Sequence, residues 1–124
     1  MENGRLAFTI VVNTEQLYVL DPVNGDVRRL TIAPGDQYQP TQSPDGTQIA
    51  FSTTRDGNSE IYVMNADGSE PRLLSHGSAK EGEPSWSPDG EKIAFDRYRF
   101  EGYGENDNPL YSAAVCVNLA CSVA

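Results

Sequence analysis

The chain is poor in the residue types that most often carry chemistry. Its 124 residues include one histidine, one tryptophan and two cysteines, and only nine lysines and arginines against 18 acidic residues. The net charge of -9 disfavours binding to nucleic acid or to anionic membranes, because phosphate contacts need cationic side chains. No apolar stretch approaches the roughly 18–20 residues of a membrane span. We therefore expect no nucleic-acid partner and no membrane insertion.

The two cysteines, Cys116 and Cys121, both lie in the last nine residues. They fit either two half-buried thiols or a disulfide in an oxidising compartment. A zinc site is disfavoured because zinc takes three or four ligands at close spacing, and the single histidine, His76, is 40 residues from Cys116. Met1–Gly4 lacks a basic segment, so no signal peptide is predicted within this sequence. We expect neither a metal nor another cofactor.

The main signal in the sequence is an internal repeat. The segment Pro40–Phe51, PTQSPDGTQIAF, recurs as Pro84–Phe95, PSWSPDGEKIAF, with matched positions 44 residues apart. An earlier copy begins at Arg5 and places Phe8 at 43 residues before Phe51. A period in the forties with strand-like content is typical of the blades of a β-propeller. The chain is predicted to form one domain with repeats at about residues 5–37, 38–81 and 82–124.

Each repeat is predicted to contain short strands separated by turns. In the second copy the strands are expected at Tyr38–Ser43, Gln48–Thr53, Glu60–Asn65 and Pro71–Ser75, and the loop Gly77–Glu83 leads to the next copy. No segment has helical periodicity. The predicted fold class is all-β, with about three blades of four-stranded antiparallel sheet in a partial β-propeller. Six side chains are expected to be buried between sheets: Ile49, Phe51, Tyr62, Val63, Ile93 and Phe95.

The serines of the repeat are expected to be structural. They lie in two Ser-Pro-Asp-Gly turns, which comprise Ser43, Pro44, Asp45 and Gly46, and Ser87, Pro88, Asp89 and Gly90. Proline sets φ for a turn and glycine supplies a positive φ after aspartate, so this tetrapeptide reverses the chain. There is no G-x-S-x-G motif, and His76 is the single candidate base for a serine triad. No catalytic residue is predicted.

Two pairs of carboxylates are candidates for acid–base or calcium sites. They are Asp56 with Glu60, and Asp67 with Glu70. Neither has the twelve-residue spacing or the terminal glutamate of an EF-hand. The Asp-Gly hairpins that contain them are a sufficient explanation of these residues. We therefore predict no metal site.

The most unusual segment is an insertion in the third copy, at Asp96–Asn108. It contains the candidate partner-contact residues Tyr98, Arg99, Phe100 and Tyr103. Tyrosine and arginine are favoured anchors at protein interfaces. The alternatives are an elongated hairpin whose aromatic side chains lie on its own sheet, and a platform for a carbohydrate or another small ligand.

The repeat motifs resemble those of a known family. W-S-P-D-G-x-K-I-A-F at Trp86–Phe95 and D-G-N-x-E-I-Y-V-M-N-A-D-G-S at Asp56–Ser69 resemble the TolB-type propeller repeat, which also occurs in the propeller domains of prolyl-oligopeptidase-like and tricorn-type peptidases. The resemblance covers about Leu6–Phe95. It implies a ring of six or seven blades, a periplasmic or other extracytoplasmic location, and use as a protein-binding platform.

The predicted function is that of a non-enzymatic propeller repeat module that acts as a protein-interaction or assembly scaffold. Propellers that close have at least about four blades, and each blade gains its core by packing on its neighbours. One alternative is therefore a fragment of the propeller domain of a serine peptidase. Another is a self-assembling subunit, in which head-to-tail strand exchange between copies produces closed rings or filaments.

Overall fold

A computed structural model describes residues 5–11, 13–74, 79–117 and 120–123, which form three antiparallel sheets. The first sheet contains β1 (Leu6–Val11), β2 (Glu15–Leu20) and β3 (Val27–Arg29). The second contains β4 (Gln37–Gln42), β5 (Gln48–Thr53), β6 (Glu60–Asn65) and β7 (Arg72–Leu73). The third contains β8 (Lys80–Trp86), β9 (Ile93–Tyr103), β10 (Pro109–Val117) and β11 (Ala120–Val123). The all-β, partial-propeller prediction is confirmed.

In each sheet the strands lie side by side in chain order, so each strand is joined to its neighbour by a hairpin. Strands β5 and β6 have the bounds that the repeat predicts. The prediction of a loop at Gly77–Glu83 is wrong for its last four residues, because β8 begins at Lys80. Lys80 pairs with Tyr98 of the long strand β9, which gives these residues a partner that the repeat did not reveal. Residues 75–78, with His76, lie outside the described residues.

The second sheet is buried on both faces. In β5, Ile49 and Phe51 face the first sheet, where they pack with Leu17. Ala50 faces the third sheet and packs with Ile93. Because successive side chains of a strand point to opposite faces, a strand between two sheets has to be apolar at nearly every position. The sequence of β5, QIAFST, meets this requirement over its central three residues.

Five of the six side chains predicted to be buried are buried, and Tyr62 is only half-buried. The Tyr62 hydroxyl donates a hydrogen bond to Asp56 Oδ2 at 2.6 Å, at the solvent side of the sheet. A phenol at such a position keeps its ring in the core and its polar end near water. The expectation of full burial at Tyr62 was therefore wrong because the repeat does not reveal where the hydroxyl points.

Close approach of the backbone joins the first two sheets. Gly68, in the turn between β6 and β7, has φ of +89°, and a Cβ atom there would lie 2.8 Å from the carbonyl oxygen of Leu30. Only glycine fits both the conformation and the contact without displacement. In the described residues, no helix has the length and apolar character needed to cross a membrane. The side chains of Cys116 and Cys121 are outside the described part of the structure.

Candidate interaction surface

The serine hydroxyl of the first Ser-Pro-Asp-Gly turn forms hydrogen bonds with the turn and with the first residue of β5. Ser43 Oγ donates to Asp45 Oδ1 at 2.6 Å and accepts a hydrogen bond from the Gln48 amide at 3.0 Å. The Gly46 amide closes the turn by donating to the Ser43 carbonyl at 2.8 Å. The hydrogen bond from Ser43, followed by those from the amide and hydroxyl of Thr47, lowers the pKa of Asp45 from 3.8 to about 2. Ser43 and Asp45 therefore bond to each other, and each also accepts a hydrogen bond from a backbone amide.

The second such turn repeats the arrangement. Ser87 Oγ donates to Asp89 Oδ1 and accepts from the Lys92 amide at 3.0 Å. The hydrogen bond from Ser87 is the largest cause that lowers the pKa of Asp89. The two turns thus use the same atoms at positions 44 residues apart.

The carboxylates considered as metal ligands also accept hydrogen bonds locally. Asp67 Oδ1 accepts from the amide of Ser69 at 2.9 Å, and Glu70 Oε2 accepts from Asn65 Nδ2 at 3.0 Å. Asp56 Oδ2 likewise accepts a hydrogen bond from the Tyr62 hydroxyl. Over the described stretches of the chain, histidine, cysteine and carboxylate side chains do not form a group of three or more that could hold a metal ion.

One partly buried group with shifted pKa values lies at the edge of the second sheet. The Arg55 guanidinium lies 4.4 Å from the centre of the Tyr62 ring, and its Nη2 donates to Gln37 Oε1 at 2.9 Å. Burial lowers the pKa of Arg55. Burial, followed by the hydrogen bond to Asp56, raises the pKa of Tyr62 to about 12, so the phenol stays protonated near neutral pH. Arg55 thus connects the turn after β5 to Gln37 of β4 and Tyr62 of β6.

The insertion in the third repeat lengthens the hairpin of β9 and β10. Strand β9 has 11 residues, whereas its counterpart β5 has six. A short 3-10 turn at Glu105–Asp107 reverses the chain, with Asn106 in the left-handed region at φ of 60°. A register shift between Leu110 and Tyr111 adds a bulge to the ladder. The bulge leaves Glu101 outside the paired register and changes the pairing at the end of the hairpin.

Apolar side chains cluster in the open on this hairpin. Phe100 is 49% exposed, Tyr103 69% and Tyr111 63%. The ring centre of Phe100 lies 5.2 Å from that of Tyr103 and 5.7 Å from that of Tyr111, in edge-to-face contacts. Tyr98, two residues before Phe100 on β9, is exposed on the same face, whereas Leu110 alternates to the opposite face from Tyr111. We call four residues the aromatic surface: Tyr98, Phe100, Tyr103 and Tyr111.

The charges beside the aromatic surface are mainly negative. The hairpin carries four carboxylates, at Asp96, Glu101, Glu105 and Asp107. Of its two arginines, Arg97 is paired with Glu81, with 2.6 Å between Nη2 and Oε1. Arg99 is exposed, and the negative charge of Asp96 raises the pKa of Tyr98. The surface therefore combines exposed rings with a surplus of acidic groups.

Of the four candidate partner-contact residues, the structure places Tyr98, Phe100 and Tyr103 in the aromatic surface and exposes Arg99 beside them. The elongated hairpin that was the alternative to a partner contact is also present, with its aromatic side chains exposed on it. Tyr111, the fourth member of the surface, is not among those candidates. The register of the hairpin pairs Tyr111 directly with Phe100, a pairing that the sequence alone does not show.

Comparison with known proteins supports the fold over most of the chain. A protein from Agrobacterium tumefaciens described as a TolB superposes with a TM-score of 0.79 at 22% identity, over 96% of this chain and 44% of that one. TolB from Acinetobacter baumannii gives a TM-score of 0.69 at 24% identity, over 92% of this chain and 29% of that one. Tricorn protease gives 0.68 at 16% identity, over 91% and 11%. The chain thus spans less than half of each of these proteins.

At identities below 25%, these superpositions show that the chain shares its fold with these proteins. No curated protein matches the sequence. The family model of the tricorn protease N-terminal β-propeller domain matches residues 5–114, which include strands of all three sheets. The repeat, the three consecutive antiparallel sheets and this match agree, and the chain belongs to the family of the tricorn protease N-terminal β-propeller domain.

Proposed function

We propose that this chain is a non-enzymatic β-propeller module that binds a protein partner through the aromatic surface. The observation that carries the proposal is the exposure of Phe100, Tyr103 and Tyr111 in one contiguous cluster. Exposed apolar clusters on soluble domains commonly mark interaction sites. Aromatic side chains are also the residues that most often dominate binding energy at interfaces.

The partner that suits this surface is an extended peptide segment with apolar and basic residues. Lysine and arginine side chains are attracted to the faces of tyrosine and phenylalanine rings. The carboxylates of Asp96, Glu101, Glu105 and Asp107 add attraction for a cationic segment. The net charge of the chain, -9, favours the same partner at longer range.

The absence of catalysis is part of the proposal. The hydroxyls of Ser43 and Ser87 both donate to the aspartate of their own turn, which supports a structural role for them. A propeller fragment of a serine peptidase is the second candidate function, favoured by the match to the tricorn protease domain family and by the superposition on the acylaminoacyl peptidase of Pyrococcus horikoshii, at 13% identity. By its likeness to TolB, we propose a periplasmic or other extracytoplasmic location.

The binding proposal is tested with a random peptide library displayed on phage and selected against the full chain. We expect selected peptides to be enriched in basic and aromatic residues. Phe100→Ala and Tyr111→Ala should each weaken the binding of a selected peptide by about tenfold or more, as for hot-spot residues. Fluorescence anisotropy of the labelled peptide measures this change, and binding should weaken as salt is added.

Val23→Ala and Ile32→Ala are the matched controls, because these two side chains are each 89% exposed and lie outside the aromatic surface. They should leave peptide affinity unchanged. Peptides whose affinity is unaffected by Phe100→Ala and Tyr111→Ala would overturn the assignment of the surface. Hydrolysis of ester or peptide substrates that is lost in Ser87→Ala would overturn the non-enzymatic part of the proposal.

A further inference from the structure

A cleft with a volume of about 370 Å³ lies where the second sheet meets the third. Its apolar walls include Val63, Leu73, Trp86 and Ile93. Val63 and Ile93 belong to the core between the two sheets, and Trp86 packs against that core. Leu73 is 39% exposed and Trp86 is half-buried, so apolar surface in the cleft stays open to solvent. The volume is within the range of about 300–1,000 Å³ that is usual for small-molecule pockets.

The repeat provides a matched cleft between the first and second sheets, and it is polar where this one is apolar. Gln42 lines the matched cleft at the position of Trp86, 44 residues earlier. The counterpart of Leu73 is Arg29. The packing of two sheets therefore does not require an apolar side chain at either position. The indole nitrogen of Trp86 is bonded to β4, which fixes the ring in the wall of the cleft.

Two opposite charges also line the cleft between the second and third sheets. They belong to Arg72 of β7 and to Glu91 in the turn before β9, and both residues are exposed. Arg72 Nη1 donates to the carbonyl oxygen of Glu70 at 3.1 Å, and a guanidinium has four further N–H donors. Within the described ranges, the ion pairs include neither Arg72 nor Glu91. The cleft thus combines a cation, an anion and an apolar wall.

We propose that this cleft binds a zwitterionic α-amino acid with an aliphatic side chain. The aliphatic group lies against Leu73 and Trp86. The α-carboxylate accepts hydrogen bonds from Arg72, and the α-ammonium group donates to Glu91. A ligand with a single charge would be attracted by one of these two residues and repelled by the other. A zwitterion suits both, and the net charge of -9 does not repel it as it would repel an anion.

The cleft and the aromatic surface lie at opposite ends of the third sheet. Trp86 pairs with Ile93 at one end of the ladder of β8 and β9, and Lys80 pairs with Tyr98 at the other. Phe100 is seven residues beyond Ile93 on β9, which is about 23 Å along a strand. Binding of an amino acid in the cleft is therefore independent of peptide binding by the aromatic surface.

The proposal is tested by fluorescence titration, because Trp86 is the single tryptophan of the chain and reports on the cleft. L-Leucine should change its emission saturably, with a Kd below about 1 mM. The analogue 4-methylpentanoate lacks the ammonium group and 3-methylbutylamine lacks the carboxylate. Each should bind at least about tenfold more weakly than leucine. Isothermal titration calorimetry repeats the titrations, so that binding without a change of emission is also measured.

Variants of the cleft identify the groups that bind. Leu73→Arg introduces the residue that the first sheet accommodates at Arg29, and it should weaken leucine binding by about tenfold or more. Arg72→Met and Glu91→Gln should each weaken it to a similar extent, and both alter exposed side chains. Arg28→Met is the matched control, because Arg28 lies 44 residues before Arg72 on the first sheet. It should leave leucine affinity unchanged.

Three results would each overturn the proposal. The first is the absence of saturable leucine binding by both methods. The second is an affinity for either analogue that equals the affinity for leucine. The third is a leucine affinity that Arg72→Met and Glu91→Gln leave unchanged, in variants whose circular dichroism shows the unaltered β-sheet spectrum. Phe100→Ala should not change leucine affinity, so failure of this proposal and failure of peptide binding are distinguishable.

Discussion

The indole nitrogen of Trp86 donates a hydrogen bond to the carbonyl oxygen of Thr41 at 3.1 Å. This bond joins β8 of the third sheet to β4 of the second, across 45 residues of sequence. At the position that corresponds to Trp86, the second copy has Gln42. The third sheet therefore has a polar attachment to its neighbour in addition to the apolar contact.

Trp86→Phe should lower the free energy of unfolding by about 1 kcal/mol, because it removes this donor while keeping a ring. Urea unfolding followed by circular dichroism measures the change. Tyr103→Phe is the control, since its hydroxyl lies on a 69% exposed side chain, and it should be neutral. Equal stability of Trp86→Phe and the unaltered chain would show that the bond contributes nothing.

The ion pair between Arg97 and Glu81 should respond asymmetrically to substitution. The Glu81 side chain is 1% exposed and that of Arg97 is 25% exposed. Arg97→Met leaves a buried carboxylate without its guanidinium and should cost about 3–5 kcal/mol. Glu81→Gln leaves an arginine that reaches water and should cost about 1.5–3 kcal/mol, the value of hydrogen bonds to a charged group. Urea titrations of both variants check the order, and a larger cost for Glu81→Gln would contradict it.

The Ser-Pro-Asp-Gly turns should make the fold sensitive to acid. The pKa of Asp45 is lowered in the folded chain to about 2 from an ordinary value of 3.8. A group with a depressed folded pKa stabilises the fold above its unfolded pKa, and this contribution is lost as pH falls through the folded value. Stability should therefore decrease between about pH 4 and pH 2. Asp89, with a pKa lowered by Ser87, should add to the loss in the same direction.

Asp45→Asn should flatten this part of the pH profile, because the amide oxygen accepts the same hydrogen bonds and does not titrate in this range. Ser43→Ala should raise the pKa of Asp45, since the hydrogen bond from Ser43 is the largest cause of its depression. Carboxyl carbon NMR during an acid titration measures the second effect. An unchanged Asp45 midpoint in Ser43→Ala would show that this hydrogen bond does not cause the depression.

Phe51 and Phe8 occupy matched positions of the repeat and should differ in their contribution to stability. Phe51→Ala should cost about 3–5 kcal/mol, as for a fully buried phenylalanine. Phe8→Ala should cost only about 1 kcal/mol, because its ring is half in solvent. Urea unfolding followed by circular dichroism measures both changes. Similar costs would show that Phe8 is as well covered in solution as Phe51.

The repeat, the strand bounds of β5 and β6, and the turns between them could be predicted without the structure. These features are local, because alternation of apolar residues and the Ser-Pro-Asp-Gly tetrapeptide act over a few residues. Five of the six expected core residues followed from the same alternation. Three of the four members of the aromatic surface were also predicted, because their aromatic side chains lie in an insertion that the other repeats lack.

The remaining features could not be predicted, because each depends on residues far apart in the chain. The start of β8 depends on pairing with β9, and the half-exposure of Tyr62 depends on the hydrogen bond of its hydroxyl to Asp56 at the surface. Tyr111 lies beside Phe100 because the register of β9 and β10 pairs these two residues. The periodic sequence makes the sheets alike, and only their order in space places the second sheet between the other two, where both of its faces are buried.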